Sequence, residues 1–200
     1  MRGNTRLVRR YAAFGCLTAA LAVVSPEIIE ARATTVAAAS SRIHVDNFGR
    51  VNDRYFRGAQ PSARDYADLA AFGIKTVIDL QADGLSAEPG FVEAAGMKFH
   101  RIPMTTHTPP TTEQIATFLA LVNDPANQPV YVHCAGGRHR TGVMTAVYRM
   151  TAENWTPDRA FQEMKQFKFG ADFLHAEFKQ FVYAFHATAP AETLAAATAG

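Results

Sequence analysis

His133-Cys134-Ala135-Gly136-Gly137-Arg138-His139-Arg140-Thr141-Gly142 is the stretch that decides the fold. Pro129-Val130-Tyr131-Val132 stands ahead of it, a short apolar run of β-branched and aromatic residues. Val143 to Met150, behind it, reads as a buried helix. The ten residues are therefore predicted as the loop between a central strand over 129–133 and a helix over 142–152. A cysteine opens the loop, an arginine follows six residues later, and Gly136 and Gly137 lie between.

Upstream, strands and helices alternate. Ile43 to Phe48 and Arg54 to Arg57 read as short strands with a turn near Asn52-Asp53. Ser62 is placed as the cap of a helix running to Phe72, stopped by Gly73. Lys75 to Leu80 is a strand, Pro89 to Ala95 a short helix, and Met97 to Ile102 a further strand. Thr111, with Gln114 three residues on, has the spacing of a capping box, and Asn123-Asp124-Pro125 ends that helix. Thr156-Pro157 opens another helix. The last helix is expected over 172–187, with Phe173, Leu174, Phe178, Phe181, Val182 and Phe185 as its core face. This order predicts an α/β fold: a single domain whose central, partly parallel sheet of about four or five strands is flanked by helices. The cysteine loop then lies at the carboxyl end of a central strand, where such sheets bind ligands.

The 200 residues are 48% hydrophobic and 19% charged, enough for a sizeable core. The formal net charge is +2, unevenly spread: five arginines against two glutamates give +3 within 1–33, leaving −1 elsewhere. A near-neutral body gives no argument for nucleic-acid binding, so an anion site must be local. Residues 1–33 read as a signal peptide, with a basic start at Arg6, Arg9 and Arg10, an apolar run from Tyr11 to Val24, and a small-x-small cleavage site at Ala31-Arg32-Ala33. That run is too short for a comfortable membrane span, so no stable membrane insertion is expected after cleavage. The chain is accordingly expected to be exported, to a bacterial periplasm or beyond. Residues 34–42 are read as a linker, 43–187 as the domain and 188–200 as a disordered tail. Cleavage removes Cys16 and leaves Cys134 as the sole thiol, unable to form an internal disulfide.

The loop has the parts that thiol attack on a phosphate ester requires. A free cysteine ionises near pH 8.5, so its thiolate must be favoured, and a helix amino end supplies partial positive charge. Backbone amides from Ala135, Gly136, Gly137, Arg138 and His139 can curl around an anion, with the glycines allowing the curl. Arg140 can grip two phosphate oxygens in a fork, as a lysine could not. The Thr141 hydroxyl can donate to the sulfur and help it leave. His133 reads as a buried scaffold residue.

The run HCAGGRHRTG resembles the H-C-x5-R-[ST]-G loop of cysteine-dependent tyrosine and dual-specificity phosphatases, most nearly the atypical dual-specificity group of plants, fungi and bacteria. Tyr55-Phe56-Arg57-Gly58-Ala59-Gln60-Pro61 and Gly73-Ile74-Lys75-Thr76-Val77-Ile78-Asp79-Leu80 resemble two further stretches of that group, so the likeness spans about 43–185. It implies phosphomonoester hydrolysis through a phosphocysteine on Cys134, with no cofactor and no metal. The substrate would be a phosphorylated protein or a small phosphorylated metabolite. The alternatives are an inositol (pyro)phosphate phosphatase and a catalytically weak phosphate-binding module.

One part departs from the family pattern. The group usually places an aspartate general acid in the loop that is Pro103-Met104-Thr105-Thr106-His107-Thr108-Pro109-Pro110 here, and this loop has no carboxylate. His107 is its only titratable side chain and is the expected proton donor. Asp79 and Asp83 follow another strand whose end could face the pocket, Asp79 being read as structural. Arg57 is expected either to brace the pocket or to pair with Asp79, the pairing being the preferred reading. Arg138 and His139 add positive potential, whereas Ala135 is neutral where inositide-acting relatives often carry a base.

Overall fold

The computed structural model describes residues 43–186. Five strands form one sheet in the order β1-β2-β5-β3-β4: β1 is Gly49–Asn52, β2 Tyr55–Ala59, β3 Thr76–Gln81, β4 Lys98–Met104 and β5 Val130–Cys134. β1 runs antiparallel to β2, and the other three pairings are parallel. Among the described residues six helices cover the sheet: α1 Asp65–Phe72, α2 Glu88–Ala94, α3 Thr112–Asn123, α4 Arg140–Ala152, α5 Pro157–Gln166 and α6 Ala176–Ala184. The α/β architecture with a mixed, mostly parallel sheet is the expected one. The proposed leader, linker and tail all lie outside the described residues.

Alternation along the central strands divides the core in two. Ile78 and Leu80 of β3, with Val130 and Val132 of β5, pack into one cluster with residues of α3, α4, α5 and α6. Val77 and Tyr131, between them, face a second cluster with Tyr66 and Leu69 of α1 and Val92 of α2. β3 and β5 are buried throughout, as strands covered on both faces must be.

The local signals held unevenly. Thr111 and Gln114 form the reciprocal capping box, Thr156 caps α5, and Gly73 closes α1 at φ +107°. Ser62 does not cap α1: its amide instead donates to the Asp65 carboxylate at 2.7 Å, and the helix begins at Asp65. The first strand is 49–52 rather than 43–48, because Phe48 closes a turn by donating to the Val45 carbonyl at 3.3 Å. The last helix starts at Ala176, so Phe173 and Leu174 precede it and are 80% and 57% exposed. Phe178 and Val182 do form its core face.

Candidate active site

β5 delivers the loop. Register places Cys134 beside Ala59 of β2, and His133 beside Asp79 of β3. β2 ends beside Cys134 and β3 runs on to Gln81, so the chain leaving β5 emerges between two neighbouring strands near their ends. Gly137 turns it at φ +63°, and a Cβ there would collide with the Gly58 carbonyl. That is a close backbone approach only glycine permits.

The loop's carbonyls are tied outward. The Gln60 amide donates to Ala135 O at 3.2 Å. Asn47 Nδ2 donates to Gly137 O at 2.9 Å and, more loosely, to Gly136 O at 3.3 Å. Arg57 Nη2 donates to Gly137 O at 2.8 Å. A trans peptide points each N–H opposite the preceding C=O, so the amides of Gly136 and Arg138 face the inside of the curl. This is the geometry of an anion nest. Arg57 therefore braces the loop and does not pair with Asp79. Its guanidinium is fully buried, lies over the Phe167 ring at 4.1 Å, and has its ionisation pulled down by burial.

Cys134 is 4% exposed and is the free cysteine of the described residues. Arg140 is the first residue of α4, so that helix starts two residues earlier than its apolar run suggested. Arg140 Nη1 donates to Asp83 Oδ1 at 3.0 Å and to Met104 O at 3.1 Å, so the ends of β3 and β4 hold the guanidinium at the loop. The hydrogen bond from Arg140 holds the exposed Asp83 carboxyl below the ordinary carboxylate range. Thr141 is fully buried with its hydroxyl unpartnered, so the expected donation to sulfur is not made in this structure. Its carbonyl accepts from Thr145 at 2.7 Å.

A charged mesh underlies the loop. His133 Nε2 stands 2.7 Å from Glu88 Oε1, with both side chains fully buried. Tyr66 donates to the same oxygen at 2.7 Å. Gln60 Nε2 donates to the Tyr66 hydroxyl at 2.8 Å and Gln81 Nε2 to Gln60 Oε1 at 2.7 Å. Arg101 Nε donates to Asp79 Oδ2 at 2.8 Å. Burial pushes Glu88 upward, but the His133 and Tyr66 contacts bring its ionisation below the usual value, whereas burial leaves Asp79 raised. His133 and Asp79 are thus scaffold, as read. Glu88, Arg101, Tyr66 and Asn47 were not anticipated, since no motif marks them and only the fold brings them together.

The rim is built differently. Ala135 and Arg138 are exposed, and His139 is half-buried. His139 Nε2 donates to Phe169 O at 3.0 Å, and its ring lies 3.6 Å from that of His175. His175 in turn stacks on His107 at 5.0 Å. The expected proton donor is therefore two rings away from the loop. Its side chain is 69% exposed and its Nδ1 is 3.2 Å from Glu177 Oε1. His175 and Glu177, at the start of α6, gave no signal of their own.

This geometry has relatives. Residues 31–180 match the family model described as DSP-PTPase phosphatase fused to NAD+ Kinase. The chain belongs to this family of cysteine-dependent phosphatases. OCA1 of Mycosarcoma maydis, provisionally named a tyrosine-protein phosphatase, is 30% identical over 134 residues, covering 64% of this chain and 83% of its own. The dual specificity protein phosphatase TpbA of Pseudomonas aeruginosa is 27% identical, over 62% of this chain and 56% of its own. The catalytic core of the Saccharomyces cerevisiae PP-IP phosphatase SIW14 shares the fold at a TM-score of 0.65 and 23% identity, covering 78% of this chain and 94% of that structure.

Proposed function

We propose that the chain hydrolyses phosphate monoesters of tyrosine or dual-specificity type through a phosphocysteine on Cys134. The Cys134 sulfur, as thiolate, attacks phosphorus, and the bond to the ester oxygen breaks as the S–P bond forms. The amides of the curl and the Arg140 fork hold the equatorial oxygens as their charge develops. The departing oxygen takes a proton from His107. Glu177 accepts the Nδ1–H of that ring, so Nε2 is the atom that carries the transferred proton. Water then gives a proton back to His107 Nε2 as its oxygen attacks phosphorus, the S–P bond breaks, and Thr141 is positioned by sequence to steady the returning thiolate. The observation that carries this reading is the joint placement of Cys134 at the end of β5 and Arg140 at the start of α4, across a loop whose Ala135, Gly136 and Gly137 carbonyls are tied outward.

The substrate is then a phosphorylated protein or a small phosphorylated metabolite. Two observations favour inositol diphosphates as a second reading: SIW14 and the rice relative DSP2 are named for that activity, and Arg138 stands exposed on the loop. Against it, Ala135 beside Arg138 is neutral. Export rests on the basic start, apolar run and small-x-small site of residues 1–33. Turnover of p-nitrophenyl phosphate, a phosphocysteine trapped on Cys134 and loss of both in Cys134→Ser are expected. No turnover of any aryl phosphate between about pH 5 and 8 would sink the proposal. Parallel assays on phosphopeptides and inositol diphosphates decide the substrate class, and finding Thr34 as the first residue of exported protein supports the leader.

A further inference from the structure

His107, His175 and Glu177 bring three ligand atoms together outside the Cys134 loop, each within 4.8 Å of the others. Glu177 Oε1 is 3.2 Å from His107 Nδ1 and 3.5 Å from His175 Nδ1. Tetrahedral zinc, bonded to imidazole nitrogen and carboxylate oxygen at about 2.0–2.1 Å, holds its ligand atoms about 3.3 Å apart. Both measured separations bracket that value. His175 Nδ1 is also buried without a hydrogen-bond partner, although the side chain is only 14% exposed. A buried nitrogen left unpaired is costly, and a metal ligand is one way to satisfy it. Burial is graded across the trio: His107 is exposed while His175 and Glu177 are half-covered, so an ion has a way in.

A simple ion pair between His107 and Glu177 explains one of these distances. It explains neither the second imidazole nitrogen facing the same oxygen nor that nitrogen's lack of a partner. The other set of this kind, Asp79, Glu88 and His133, is fully buried and closed to solvent, and its two carboxylates already accept from Arg101 and Tyr66.

We propose that His107, His175 and Glu177 form a binding site for a divalent transition metal of the zinc type, with its fourth position open to solvent. Two imidazoles and one carboxylate suit zinc, and the all-oxygen coordination preferred by calcium or magnesium is lacking. The site shares His107 and Glu177 with the proposed proton donor, so an ion bound there displaces the Nδ1–H to Oε1 contact that orients that ring. Its effect is mechanical and electrostatic: an ion there ties the loop after β4 to the start of α6, with His139 of the catalytic loop packed on one ligand ring. It does not depend on the proton-donor role of His107.

The test is zinc binding to the tag-free full-length chain carrying Cys16→Ser and Cys134→Ser, so that no thiolate competes. Competition against a chromophoric chelator should show one equivalent bound, and cobalt should give the visible bands of a four-coordinate site. Glu177→Gln and His175→Ala should each weaken zinc on the order of tenfold or more, with circular dichroism confirming that both variants fold. His44→Ala, His100→Ala and His186→Ala should leave it unchanged. Absence of saturable binding at hundred-micromolar zinc, or undiminished binding by Glu177→Gln and His175→Ala, would overturn the proposal. So would binding lost with one of the other three histidines.

Discussion

The floor and the rim of the same loop are held by different physics. Beneath the loop, His133, Glu88, Asp79 and Arg57 are fully buried, and each is met by a partner or a ring. At the rim, Asp83, Arg138 and His107 are exposed, and the ion pairs that Asp83 and His107 make are solvent-screened. Buried pairs are expensive to break, because removing one partner strands the other in low dielectric. Rim contacts are cheap to break. On the proposed mechanism the position of the nucleophile Cys134 is therefore over-determined, whereas proton transfer and substrate choice rest on groups free to vary.

The sharpest break is at the nucleophile. Cys134→Ser should lower kcat on p-nitrophenyl phosphate by at least about a thousandfold while leaving the thermal midpoint nearly unchanged. Arg140→Lys should lower kcat/KM by about a hundredfold or more, since an ammonium cannot make the two-point grip, and steady-state kinetics checks it. In the floor, Glu88→Ala should destabilise the fold by about 3 kcal/mol, read by denaturant unfolding, because His133 and Tyr66 lose their shared partner. At the rim the expected signature is selective. His107→Ala should slow alkyl phosphates by about a hundredfold and aryl phosphates much less, because a phenolate leaves without help. Equal slowing of both would refute His107 as the proton donor.

A smaller effect comes from pH. Glu88 ionises below its ordinary value of 4.5 in the folded chain, so its contribution is fully present above that value and fades as acid protonates it. Unfolding measured from pH 6 downward should show an acid limb that Glu88→Gln flattens. An unchanged limb would assign the acid sensitivity elsewhere in the mesh.

The same division governs what could be read from the sequence. The loop, its two flanking elements and the two-sided sheet follow from local signals: β-branched runs, glycines and a C-to-R spacing. The capping box at Thr111 and the stop at Gly73 are also local, and the structure has both. The floor was illegible, because Glu88, Arg101 and Tyr66 come from separate elements and meet only once α1, α2 and β4 are packed. Arg57 was assigned the wrong partner for the same reason: Arg101, on the neighbouring strand, reaches Asp79 first. The start of the last helix was misjudged because Phe173 and Leu174 fit a helical stripe, although the chain turns before α6 begins.

Arg57 has one further consequence. Its Nε and Nη1 are buried without hydrogen-bond partners, behind the loop proposed to hold a phosphate. A buried cation so placed is stabilised when negative charge arrives in front of it. Folding and ligand occupancy are then one thermodynamic cycle: tungstate or phosphate should raise the melting temperature, and Arg57→Met should shrink that rise.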